Sequence, residues 1–170
     1  MSIAASLLPE FDYEMSVTRR CLERVPENKL DYKPDPKSMS LGRLAGHVAE
    51  MASWGSVTID REELDFSKGE FQPMEMTSRS QILAAFDQIV AASRASLAAA
   101  SDDRMLKDWL LKNGDTVLIS MPRVAVWRSF VMNHSIHHRG QLSVYLRLVG
   151  EKVPSIYGPS ADEGTMGAGA

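Results

Sequence analysis

Apolar residues recur along this chain at helical spacing in four stretches separated by breakers. Residues 3 to 25 place Leu7, Phe11, Met15, Thr18 and Leu22 three and four apart, which predicts a first helix. "VPENKLDYKPDPKSMS" ends it, because Pro26, Pro34 and Pro36 remove helical donors and force extended backbone before each ring. Ser38 or Ser40 can then cap a second helix, which lines up Leu44, His47, Val48, Met51, Trp54, Gly55 and Thr58 on one side. "FSKGEFQPMEMTS" reads as a long connection, and Thr77 or Ser78 as the cap of a third helix. That helix carries Ile82, Phe86, Ile89, Val90 and Leu97, and its alanines 98 to 100 suggest a close helix-packing surface. The period changes in "WLLKNGDTVLISM", where Asn113-Gly114 at the centre of a type I′ turn predicts a short β-hairpin. Pro122 suits the first turn of a last helix running to about Val149 and closed by Gly150 and Pro154. Four apolar stripes of this length must be buried against one another, so the expected fold is all-α, a four-helix bundle with a hairpin before the last helix. One domain over residues 1–160 is expected, with 161–170 as a mobile tail of small residues.

Composition narrows the partners. With 19 basic and 22 acidic residues spread along 170 positions, the chain concentrates no basic surface for a phosphate backbone, which argues against nucleic acid. Cys21 is the sole cysteine, so an internal disulfide and a thiolate metal cluster are excluded and a reducing, cytoplasmic setting fits. No signal-peptide pattern opens the chain, and no run approaches the roughly 18 consecutive apolar residues of a membrane span.

The candidate chemistry lies in "NHSIHHRGQ", which holds three of the four histidines. At about 100° per residue and with His134 as origin, Trp127 and Tyr145 fall near +20°, His138 near +40°, Gln141 near −20° and His137 near −60°. His134 and His138 therefore share the expected core stripe one turn apart, and His137 sits at its rim. An i, i+4 pair can offer two imidazole nitrogens to one ion, as in HExxH, but position 135 is serine, so the metalloprotease version with its glutamate base is not supported. His47, on the apolar side of the second helix, can supply a third nitrogen. By spacing alone the three are either core residues hydrogen-bonded in low dielectric or ligands of an ion. Glu50 can orient an imidazole by accepting its free N–H or stand as a solvated charge. Gln141 and Tyr145 either line the same cavity or simply pack, Trp54 and Tyr157 are further pocket candidates, and Arg139, off the stripe, suits a surface or interface.

The segments "LGRLAGHVAEMASW", "MNHSIHHRGQLSVYLRLVG" and "VPSIYGPSADE" resemble the DinB-like family, also grouped with YfiT-like metal-dependent enzymes, across nearly the whole chain. The most specific element is a histidine early in the second helix paired with H-x-x-x-H-R-G-Q. The resemblance implies up-down-down-up connectivity, a divalent metal held by His47, His134 and His138, and frequent homodimers. It implies no DNA polymerase or repair activity. Family members with known chemistry include transferases of low-molecular-weight thiols and a thiol-dependent isomerase. Three neutral imidazoles leave a coordination position open, as in catalytic zinc sites, and imidazole suits zinc, nickel, copper and iron, with zinc or nickel favoured here. A thiol at the open position becomes a thiolate nucleophile, whereas water there favours hydrolysis. The expected function is metal-dependent transfer of a low-molecular-weight thiol to an electrophilic small molecule. The rivals are a hydrolase and a non-catalytic metal- or ligand-binding stress protein.

Overall fold

The computed structural model describes residues 2–69, 72–74 and 76–164. Ser2 caps helix α1 (Ile3–Glu23) by accepting from Ala5 N–H, and the expected stripe from Leu7 to Leu22 is buried, with Glu14 buried among it. The proline-rich connection contains a short 3-10 turn (Glu27–Lys29), and its Tyr32 and Leu30 carbonyls take the first free N–H groups of the next helix, those of Leu41 and Gly42. Of the two serines, Ser40 is the cap, accepting from Arg43 N–H.

The second helical rod is interrupted, which its apolar spacing does not show. Helix α2 (Leu41–Glu50) is separated from helix α3 (Ser53–Asp60) by Met51 and Ala52. Ser93, buried in helix α4 (Arg79–Ala99), supplies the cause: its Oγ donates to Ala52 O at 2.5 Å and accepts from Ser56 N–H at 3.1 Å, occupying both ends of a bond that an unbroken helix makes internally. Gly55 permits that approach, since a Cβ there would lie 2.9 Å from Ser93 Cβ and from Trp127 Cζ3.

Helix α4, capped by Ser78 and not Thr77, packs on α1, α2 and α3. The ion pairs Arg19–Asp87 and Arg94–Asp12 set it antiparallel to α1, and the contacts Ser93–Ala52 and Ser96–Asp60 set it parallel to the second rod. Ala98 and Ala99 are exposed, and of the alanine run only Ala100, at the C-cap, packs against the core. Although no unbroken apolar run reaches membrane length, α4 is, among the described residues, a single helix long and apolar enough by length and composition to cross a membrane, and that alone is no membrane signal.

After the short helix α5 (Asp102–Leu106), strand β2 (Asp108–Asn113) of the expected hairpin pairs antiparallel with β3 (Thr116–Pro122). The turn lies one residue later than Asn-Gly implies. Asn113 pairs with Thr116, so Gly114 and Asp115 are central, and only Gly114 takes positive φ, 62°. That is the pattern of a turn with glycine at its first central position. A third strand, β1 (Glu63–Asp65), pairs parallel with β2 and makes the small sheet β1-β2-β3. It falls at the edge of the stretch read as a loop, whose residues 70, 71 and 75 lie outside the described residues; Asp65 binds Gly114 N–H and ties that connection to the hairpin.

The last rod comprises α6 (Arg123–Val126), a π-helical segment (Trp127–Asn133) and α7 (His134–Leu148), ended by Gly150 at φ 85°. The result is four helical rods and a small sheet in place of an all-α chain with a hairpin. Asp162 and Glu163, within the expected tail, accept from Val153 N–H and Ser155 N–H and pair with Arg147 and Arg24; residues 165–170 lie outside the described residues.

The Ser93 insertion is expected to carry measurable stability. Ser93→Ala leaves Ser56 N–H without its partner and removes one of the two donors to Ala52 O, which keeps Gly55 N–H at 3.0 Å, so urea unfolding should show a loss of about 1–3 kcal/mol. Gly55→Ala should cost a similar amount, about 1–3 kcal/mol, through overpacking against Trp127. Wild-type midpoints in both variants would refute the insertion as the cause of the break.

Candidate metal centre

The π-helical segment changes which face of the last rod is buried. His134 N–H reaches back five residues to Ser129 O, a wider turn than α-helical. Such a turn accommodates one extra residue, so positions before it shift by about 100° relative to those after it. Trp127 moves from the +20° of an unbroken helix to about +120°, beside Leu142 and Leu146. All three are fully buried with Val131 and Ser135, which centres the core nearer +90° than on His134. The histidines consequently stand at the edge of the core, facing α2: His138 is 8% exposed, His134 half-buried and His137 exposed.

Across that edge His47 meets the pair. Its ring lies 4.4 Å from that of His138 and 5.7 Å from that of His134, and one nitrogen from each residue falls within 4.8 Å of the others. His134 Nε2 and His138 Nε2 are 2.8 Å apart. Zinc–imidazole bonds of about 2.0–2.1 Å in a tetrahedron place neighbouring nitrogens roughly 3.3 Å apart, a spacing these separations bracket. Burial and the surrounding imidazoles push the His134 pKa down to about 4, and burial, against a hydrogen bond to Gln141, also lowers that of His138. Both are therefore neutral near pH 7, the form that ligates a metal.

The outer ring nitrogens are engaged. His47 Nδ1 lies 3.0 Å from Glu50 Oε1, and His138 Nδ1 lies 2.7 Å from Gln141 Oε1, which leaves Nε2 as the inward nitrogen of each. Glu50 is 1% exposed, so it is no solvated charge. Its burial favours the neutral acid, but hydrogen bonds from His47, Met74 N–H and Arg43 outweigh that and hold its pKa below the usual carboxylate value. Gln141 Nε2 donates to His137 Nε2 at 3.1 Å, so His137 stands outside the trio and touches it through an amide. Trp54, on α3, stacks on Phe130 at 5.9 Å, and Phe130 packs edge-on against His134 at 6.3 Å, which makes Trp54 one ring removed from the trio. Tyr145 points to the end of the bundle, donating to Met39 O beside Tyr32. A cleft of about 1010 Å³ lies alongside, bordered by Glu27, Leu30, Asp31, Arg43, Met74 and Met76 and by none of the histidines.

Arg139 departs most from expectation. It is 1% exposed, and its Nη1 donates to Glu14 Oε2 at 2.6 Å and to Glu14 O, while Nη2 donates to Tyr157 O–H at 2.6 Å. Tyr157 in turn donates to Glu14 at 2.9 Å, so Tyr157, itself exposed, covers the outer end of the buried Arg139–Glu14 pair and does not line a pocket at the histidines. With the core near +90°, the roughly +140° position of Arg139 lies inside it. A signal existed in the sequence: Glu14 interrupts the apolar face formed by Phe11, Met15 and Thr18 and so calls for a buried cation.

Comparison with known proteins bears on this arrangement. The model of the DinB family matches residues 1–168. An uncharacterized protein of Bacillus subtilis strain 168, YrdA, is 28% identical over 156 residues, 92% of this chain and 89% of that one. The crystal structure of a DinB-like protein from Bacillus cereus ATCC 10987 superposes with a TM-score of 0.70 at 22% identity, covering 92% of this chain and 98% of that one. The structure of a mycothiol-dependent maleylpyruvate isomerase gives 0.50 at 14% identity, covering 87% of this chain and 61% of that one.

The Arg139 network is open to a direct test. Arg139→Met strands the Glu14 carboxylate in the core, so chemical denaturation should show a loss of about 3–5 kcal/mol. Adding Glu14→Gln should recover part of that loss, because no buried charge is then left unpaired. Equal, fully additive losses would contradict the pairing.

Proposed function

The chain belongs to the DinB family, and from that premise we propose that it is a cytoplasmic enzyme in which His47, His134 and His138 hold a divalent ion, zinc or nickel, to transfer a low-molecular-weight thiol to an electrophilic small molecule. The observation that carries the reading is the convergence of three imidazoles from two rods, two of them with Nδ1 already held by acceptors. When bound, such an ion supplies a positive charge that favours the thiolate form of a thiol at its open position. The chain's own residues do the rest. Glu50 and Gln141 fix the ring orientations of His47 and His138, and the Trp54–Phe130 stack screens one side of His134 from water. The fold likeness to an enzyme named as mycothiol-dependent turns the choice from water toward a thiol. The residue contacts between rods support the up-down-down-up order. In addition to the α4 pairings, Tyr145–Met39 and His138–His47 set α7 antiparallel to α2, and Arg128–Glu10 and Arg139–Glu14 set the last rod parallel to α1.

Protein purified without a histidine tag should carry about one divalent ion per chain, as three-imidazole sites do, and a His47→Ala, His134→Ala variant should lose it. Full retention in that variant would overturn the site. Metal-loaded protein should consume a thiol saturably in the presence of a test electrophile and show no turnover in thiol-free buffer; turnover without thiol would replace the reading with hydrolysis, and ligand-dependent stabilisation without either rate would replace it with binding alone.

The reading includes a homodimer. Val144 and Leu148, 57% and 54% exposed on α7, are apolar positions that a second copy would cover, whereas Ile136 is already half-buried. Light scattering at micromolar concentration should give twice the chain mass; a monomeric mass would remove this part.

A further inference from the structure

We propose that Arg43 is a positioning residue of the metal centre, acting through Glu50 to hold His47 in its ligating orientation and tautomer; the inference rests on the three-histidine reading above. Arg43 lies one turn before His47 on α2, and its Nη2 donates at 2.9 Å to Glu50 Oε1, the same oxygen that lies 3.0 Å from His47 Nδ1. The other oxygen, Oε2, accepts from Met74 N–H at 2.8 Å. Glu50 is 1% exposed, and Arg43 is the cation paired with it. Arg43 brings the permanent charge among the three donors, with His47 and Met74 N–H, that offset the burial of the Glu50 carboxylate. Its ionised form accepts the Nδ1 proton of His47, which keeps the lone pair of that ring on Nε2, toward His134 and His138.

The contact is single, one nitrogen to one oxygen, and not a two-pronged fork, so its requirement is for charge more than for guanidinium shape. Arg43 also borders the 1010 Å³ cleft that contains none of the histidines. The guanidinium thus stands between that cleft and the metal centre, two hydrogen bonds from His47.

Metal affinity, read by competition with a chelating dye, should fall about 10- to 100-fold in Arg43→Met, the range typical of lost partners of metal-bound histidines. Arg43→Lys should recover most of it. In a Glu50→Gln background Arg43→Met should change affinity no further, because the path through Glu50 is already cut. In metal-free protein, nitrogen NMR should show His47 as the Nδ1–H tautomer in wild type and as a mixture in Arg43→Met, with unchanged circular dichroism confirming the fold. Unaltered affinity and tautomer in Arg43→Met, or a full further loss in the Glu50→Gln background, would overturn the proposal. Absence of metal binding by wild type would refute the metal reading instead, and the tautomer measurement would still decide whether Arg43 governs His47.

Discussion

A guanidinium and a carboxylate, both withdrawn from water between the first and last rods, constrain this structure more than any other contact. Each charge alone would cost several kcal/mol to bury, so Arg139 and Glu14 must meet, and their meeting fixes the rotation and axial register of α7 on α1. Thr18 and Tyr157 fill the remaining hydrogen-bonding positions. With Arg139 aimed at α1, helical geometry turns His138 by about 100° and His134 by about 140° away from it, toward α2. A slip of one residue would separate the charges and carry the histidines off His47. A structural ion pair thereby aims the three histidines at one another.

The two rods that contribute the three histidines are also the two whose helices are irregular, and each irregularity has an identifiable cause. Ser93 stands between Ala52 O and Ser56 N–H in the first turn of α3, just after the break, and the π-helical segment holds an extra residue before His134. Between these two points Trp54 and Phe130 stack, closing the side of the site next to His134. The aromatic wall depends on both departures: one delivers Trp54 from α3, the other presents Phe130 from the widened turn.

Spacing made much of this legible. The α1 stripe, the serine caps, the hairpin and the i, i+4 histidine pair follow from local periodicity, because each depends on neighbours a turn or a strand pair away; the grouping of His47 with that pair came from the family resemblance. The parts that escaped depend on distant partners. Ser93 breaks the second rod from forty residues away in sequence, and nothing in "GHVAEMASWGSV" signals it. A π-helical turn leaves no mark in composition, so a wheel drawn at constant pitch centred the core on His134 and turned Arg139 outward. β1 is three residues long and pairs in parallel with a strand beyond α4, too short and too remote for alternation to show.

Charges on apolar faces, Glu14 and Glu50 above all, were readable as demands without being readable as pairs. The same logic ranks the three histidines. Hydrogen-bond partners fix His47 and His138 with their protons on Nδ1, so each already presents Nε2 inward. His134 alone must then donate across the 2.8 Å contact, carrying its proton on Nε2 toward the lone pair of His138. To act as a ligand His134 must give up that inward proton, taking the Nδ1–H tautomer, while the other two keep theirs. Preorganisation is therefore unequal: two rings are set by the fold, and the third exchanges a proton bond within the protein for a metal bond. That division follows from where the acceptors lie, with Glu50 behind one ring and Gln141 behind another, while His134 is backed by the edge of Phe130.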